Sequence, residues 1–123
     1  MQVNIAIIGL GIIGGSLLKS LVAVDNTTVK IRAVAELGFT PGLIFAKDKQ
    51  IPVMKLEQIL TLGNDIDLIY DTTDSPHVRT QIRETLKSEN NHHTVLIPET
   101  GVSLLMHILG KKELPDIHVN KGY

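Results

Sequence analysis

The chain has 123 residues, a formal charge of −1, 43% apolar and 20% charged residues, and no cysteine, an ordinary globular composition for one domain. Without cysteine it has no disulfide, thiolate–zinc site, iron–sulfur cluster or thiol nucleophile. The near-neutral charge gives no long-range field for nucleic acid or an anionic membrane, so neither is expected as a partner.

Short β-branched runs alternate with longer stretches of helical period. Val3 to Ile8 reads as a first strand, and Ile12 to Val24 as a helix with apolar residues at 13, 17, 18, 21 and 24. Asp25-Asn26 marks a turn, and Thr28 to Ala35 a second strand. Thr40-Pro41 gives an N-cap followed by proline at the first helical position, predicting a helix to about Lys49. Ile51 to Met54 reads as a third strand, and Lys55 to Leu62 as a short helix closed by Gly63. Asp67 to Asp71 is a fourth strand. Ser75-Pro76 repeats the cap-and-proline signal and opens a helix to Lys87. Thr94 to Ile97 is a fifth strand, and Gly101 to Leu109 a helix stopped by Gly110. Residues 111 to 123 are polar, a tail or an edge where Ile117 to Val119 would form a short sixth strand.

Alternating strands and right-handed crossovers predict a doubly wound parallel α/β sheet, in the order 3-2-1-4-5 with the possible sixth strand at its edge. Isoleucine, leucine and valine make up a third of the chain, whereas the aromatics are Phe39, Phe45, Tyr70 and Tyr123. Such a core suits strands buried on both faces. The whole of 1–123 reads as one dinucleotide-binding domain. Its most apolar stretch, Ile5 to Leu18, spans 14 residues with four glycines, too short for a bilayer. A basic start and small-residue cleavage site are also missing, so the expected location is the cytoplasm.

Gly9-Leu10-Gly11-Ile12-Ile13-Gly14 matches G-x-G-x-x-G directly after the first strand and at the opening of the first helix. In that context Gly9 permits the tight turn, Gly11 leaves room for a pyrophosphate, and Gly14 lets helix and strand pack closely. The helix start offers free amides and partial positive charge to phosphates. Glu36 ends the second strand, 22 residues beyond the last glycine. There an acid accepts hydrogen bonds from ribose hydroxyls and repels a 2′-phosphate. Leu37-Gly38-Phe39 follows with no arginine, which favours NAD over NADP.

Asp71-Thr72-Thr73-Asp74-Ser75-Pro76-His77 lies at the carboxyl end of the fourth strand, where ligands bind in open α/β sheets. The hydroxyls of Thr72 and Thr73 have two readings: donors to a dinucleotide, or local caps. Ser75 reads as the helix cap. Pro98-Glu99-Thr100-Gly101 ends the fifth strand. Glu99 there is the best-placed acid for chemistry, with a helix-start acid as the alternative; Asp74 and His77 are the other catalytic candidates. His92 and His93 are adjacent in a strand approach, so their side chains diverge. No spacing suggests a metal site.

Val3 to Ser16, Ala33-Val34-Ala35-Glu36, Ile51-Pro52-Val53 and Asp65 to Thr73 together resemble the NAD-binding domains of several dehydrogenases. These are the acylating acetaldehyde, semialdehyde, homoserine and aspartate dehydrogenases and the glucose–fructose oxidoreductase group. The glycine run alone also resembles prephenate dehydrogenase. The resemblance spans residues 1 to about 105 and implies cofactor contacts at Gly9, Gly11, Ile12, Ile13, Glu36, Thr72 and Thr73. Two features depart from it. The acylating and semialdehyde enzymes use a cysteine from a second domain, and the glucose–fructose group has a lysine after the glutamate where Thr100 follows Glu99.

The resulting expectation is an NAD(H)-binding domain that lacks its own substrate domain and acts as a cofactor-binding or nucleotide-sensing module. One alternative is the cofactor half of an NAD-dependent dehydrogenase, completed by another domain or subunit. Another is a vestigial pocket whose surface binds protein. The apolar helix near residues 102 to 109 either covers the sheet or is left over for a partner, and a homodimer is expected.

Overall fold

A computed structural model describes residues 1–24 and 27–110. The expected Asp25-Asn26 turn and the sixth strand at Ile117 to Val119 lie outside the described residues. The elements run β1 (Val3–Ile8), α1 (Ile12–Val22), β2 (Val29–Ala35), α2 (Pro41–Asp48), α3 (Leu56–Leu60), a 3₁₀ turn (Gly63–Asp65), β3 (Leu68–Asp71), α4 (Pro76–Ser88), β4 (Val95–Ile97) and α5 (Glu99–Ile108).

The sheet is parallel, with four strands in the order β2-β1-β3-β4. Alternation along each strand sorts the core into two layers. Ile5, Ile7, Val34 and Tyr70 point to the face covered by α1, α2 and α5, where Leu17, Leu18, Ala46, Val102 and Met106 meet them. Ala6, Ile8, Ala33, Ala35 and Ile69 point to the opposite face, against Ile59 and Leu60 of α3 and Val78 and Ile82 of α4. Burial on both faces accounts for continuous aliphatic strands. β1 pairs with β2 on one side and β3 on the other, and the register with β2 shifts between Ile5 and Ala6.

The predicted five-strand order requires correction. Ile51 to Met54 does not form a strand: it contributes one parallel bridge, Val34 to Val53, at the outer edge of β2. Val34 N donates to Pro52 O and Met54 N to Val34 O, each at 2.9 Å. Toward the amino end the ladder cannot extend, because Pro52 has no N–H. The Ile51 amide is also spent closing α2, donating to Ala46 O at 2.9 Å.

The caps expected from sequence form. Thr40 Oγ1 accepts from Leu43 N at 3.0 Å, and Ser75 Oγ accepts from Val78 N at 3.2 Å. α5 starts at Glu99, two residues before the expected Gly101, because the Pro98 carbonyl already accepts from Gly101 N and Val102 N. It covers the sheet with Val102 and Met106 while leaving Leu104, Ile108 and Leu109 exposed. Among the described residues, no helix is long and apolar enough to cross a membrane.

Candidate dinucleotide site

The glycine turn leaves the carboxyl end of β1, the central strand between Ala35 on β2 and Asp71 on β3. The helices divide to opposite faces around this point, which is where open α/β sheets place their ligands. Gly9 has φ +96°, in the region that favours glycine, and its N–H donates to Ala35 O at 2.8 Å. Gly14 has a different constraint: a Cβ there would lie 2.0 Å from Gly9 O and 2.5 Å from Thr72 Oγ1. The first turn of α1 therefore presses directly on the turn that precedes it.

The N-cap of α1 is Gly11, which supplies no capping side chain, and the first turn carries no acid. The opening amides of a helix lack intrahelical partners, so this end keeps donors and partial positive charge for an anion. By contrast, Thr40 and Ser75 cap α2 and α4. Within the turn, Ile12 is half-exposed beside the helix start, whereas the Ile13 side chain belongs to the core. Ile13 could meet a ligand through its backbone alone.

Glu36 is directed back onto the turn. Its Oε1 accepts from Leu10 N at 2.6 Å and its Oε2 from Gly38 N at 2.9 Å. Two residues 26 positions apart, the acid just after β2 and the first variable position of G-x-G-x-x-G, thus form one unit.

The threonine pair is buried. Thr72 Oγ1 lies 2.7 Å from Gly9 O and 3.1 Å from Ile8 O, sharing its proton with the turn's carbonyls. Thr73 Oγ1 donates to Asp71 Oδ1 at 2.5 Å and accepts from Ser75 N at 3.1 Å. Both hydroxyls are therefore engaged within the protein and brace the loop that flanks the glycine turn.

The three catalytic candidates lie in the β3–α4 loop, on α4 and on α5. Asp74 sits in the β3–α4 loop with φ +53°. His77 is exposed and shares a groove of about 470 Å³ with Thr80, Gln81, Glu84, Thr85 and Ser88, all on α4. Glu99 occupies the first turn of α5, at the carboxyl end of β4. No group of three or more His, Asp or Glu residues able to hold a metal occurs among the described residues.

Several positions were not singled out from the sequence. A Cβ on Gly42 would lie 2.7 Å from Leu10 O and 3.1 Å from Gly15 Cα, so α1 and α2 cross through two glycines behind the turn. Gly11, Ile12, Gly15, Ser16, Lys19, Thr40, Pro41 and Gly42 line a cleft of about 380 Å³ there. The doublet Gly14-Gly15 at the start of a helix was the available signal. Asp71 was also unassigned, although an aspartate closing an apolar strand is unusual.

No protein-family model matches the sequence, and comparison with curated proteins finds no relative. Solved structures do match. GenD2 from gentamicin A biosynthesis, in complex with NAD, aligns with a TM-score of 0.56 and 18% identity over 79% of this chain and 34% of its own. An NAD-binding protein from Listeria innocua gives 0.54 and 16% over 91% and 33%. S. aureus homoserine dehydrogenase gives 0.59 and 16% over 90% and 31%. The chain shares their Rossmann-like fold. It spans about a third of the length of each.

Proposed function

We propose that this chain binds NAD(H) across the glycine turn, as a cofactor-binding or nucleotide-sensing module of dehydrogenase type. The observation that carries this reading is the Glu36–Leu10 hydrogen bond at 2.6 Å. It joins the ribose-recognising acid to the phosphate-binding turn, the two parts a dinucleotide must meet together. In this reading the amides of Gly11, Ile12 and Ile13 face the pyrophosphate, and Glu36 takes the adenosine ribose. Thr72 and Thr73 hold the turn in shape from behind.

The preference for NAD over NADP follows from charge. A 2′-phosphate beside the Glu36 carboxylate would meet like charge, and Leu37, Gly38 and Phe39 offer no cation to offset it. Nicotinamide supplies hydride chemistry, which needs a walled, dry substrate pocket. In this reading the chain holds the cofactor, Asp74, His77 and Glu99 stay candidates for the chemistry, and another domain or subunit supplies that pocket. For a partner surface we propose the exposed apolar residues Leu104 and Ile108 of α5 and Leu109 at its end, paired with a second copy. Light scattering that finds only monomer at high concentration would remove the homodimer.

The deciding test is a thermal-shift screen with NAD, NADH, NADP, NADPH, FAD and coenzyme A. NAD(H) at about 100 times its dissociation constant should add roughly 2.7 kcal/mol of stability, with little effect from NADP(H). No shift with any ligand would overturn the proposal in favour of a vestigial pocket serving protein interaction.

A further inference from the structure

We infer that Asp71, paired with Arg79, is a positioning residue for the dinucleotide turn, an inference that rests on the NAD-binding reading above. Strand alternation sends the Asp71 side chain to the α4 face, among Ala6, Ile8 and Ile69. It is completely buried there. A carboxylate in such a layer carries a desolvation cost that an apolar residue would avoid, so stability alone does not explain it.

Its two oxygens have separate tasks. Oδ1 accepts from both Thr73 N, at 2.9 Å, and Thr73 Oγ1, at 2.5 Å. Oδ2 lies 3.8 Å from Arg79 Nε, and neither of these buried atoms has a hydrogen-bond partner. The pair is therefore held by charge and not by a directed hydrogen bond.

The consequence reaches the glycine turn through Thr73. Its Cγ2 lies 3.2 Å from the position a Cβ would take on Gly9, and its Oγ1 accepts from Ser75 N at the cap of α4. Arg79 on α4 thus fixes Asp71, Asp71 fixes Thr73, and Thr73 forms the wall against which Gly9 turns. Thr72, between Asp71 and Thr73 in the chain, donates to Gly9 O. A shift of the Asp71 carboxylate displaces Thr73, its hydrogen-bond partner, relative to the turn.

The test uses the full chain, with NAD as the probe in calorimetry and amide hydrogen exchange measured without ligand. Asp71→Asn and Arg79→Gln should each weaken NAD binding by about tenfold. In the free protein they should speed exchange of the Gly9 and Leu10 amides by roughly tenfold while leaving Ile7 unchanged. Arg79→Lys, which keeps the charge, should restore both readouts. NAD affinity and Gly9 exchange within about twofold of the parent would overturn the inference, even if the melting temperature fell. If the parent chain does not bind NAD, the functional reading fails and exchange at Gly9 alone decides the positioning role. Should Asp71→Asn not fold, Thr73→Val replaces it, keeping a methyl against Gly9 while losing the hydroxyl. Faster Gly9 exchange there supports the inference, and unchanged exchange overturns it.

Discussion

Thr72 and Gly9 are joined by a hydroxyl–carbonyl hydrogen bond of 2.7 Å between residues 63 positions apart. It ties the end of β3 to the turn after β1, and the same oxygen lies 2.5 Å from where Gly14 would carry a Cβ. Three residues from separate parts of the fingerprint region share this one contact. Thr72→Val keeps the shape but leaves the Gly9 carbonyl without its hydroxyl partner, and should cost about 1–2 kcal/mol in urea unfolding. Thr72→Ser should recover most of that loss. A valine variant as stable as the parent would show that the hydrogen bond is dispensable.

Gly14→Ala should be the most damaging small substitution in the turn. Its methyl would meet a backbone carbonyl at 2.0 Å, which no side-chain rotation relieves, so a loss of at least about 3 kcal/mol is expected. Gly63→Ala is the comparison: φ is +58° but nothing lies within 4 Å. Only the conformational cost applies there, about 1 kcal/mol. Equal losses at the two positions would contradict the steric account.

Glu36→Ala removes the acceptor of Leu10 N and Gly38 N. Unfolding should show a loss of about 1 kcal/mol, since the exposed Gly38 amide regains water. Calorimetry should show NAD binding at least about tenfold weaker, with discrimination against NADP reduced because the repelling charge is gone. Unchanged NAD affinity would refute the ribose assignment.

At the opposite, amino-terminal end of the sheet, Asp67 Oδ2 accepts from Asn4 N at 2.7 Å and Oδ1 accepts from His93 Nε2 at 2.5 Å. The Asn4 amide first, then His93, holds the Asp67 carboxyl below the ordinary aspartate range. A depressed folded-state value means stability present above the unfolded value, about pH 4, and lost as pH falls through the folded one. Asp67→Asn should therefore melt below the parent at neutral pH, and the two melting curves should converge on acidification. A gap that persists at low pH would show that the ionised carboxylate is not its source.

Local signals were legible without a structure. Thr40-Pro41 and Ser75-Pro76 announce helix starts because cap and proline act within four residues of one another. The glycine spacing and the acid ending the second strand likewise mark the turn and its companion, since each constrains its own stretch of backbone. The third strand misled because Ile51 to Met54 has the right composition for a ladder. Whether it pairs depends on which backbone groups face β2, and there Pro52 has no N–H to offer.

By itself, the sequence determined the alternation of strands and helices, the glycine turn and the residue types around it, since these follow from backbone preference and hydrophobic period. Only the tertiary structure decided what the polar groups do. Thr72 and Thr73 read equally well as ligand donors or local caps; the fold adds contacts that neither reading named, because β3 lies beside β1 and brings their hydroxyls to Gly9, Ile8 and Asp71. Asp71 sits at the end of an apolar strand, and only the packing of α4 placed a partly buried arginine opposite it. Hydrogen bonds and ion pairs act over a few ångströms, so groups far apart in the chain acquire partners only when the fold brings them together.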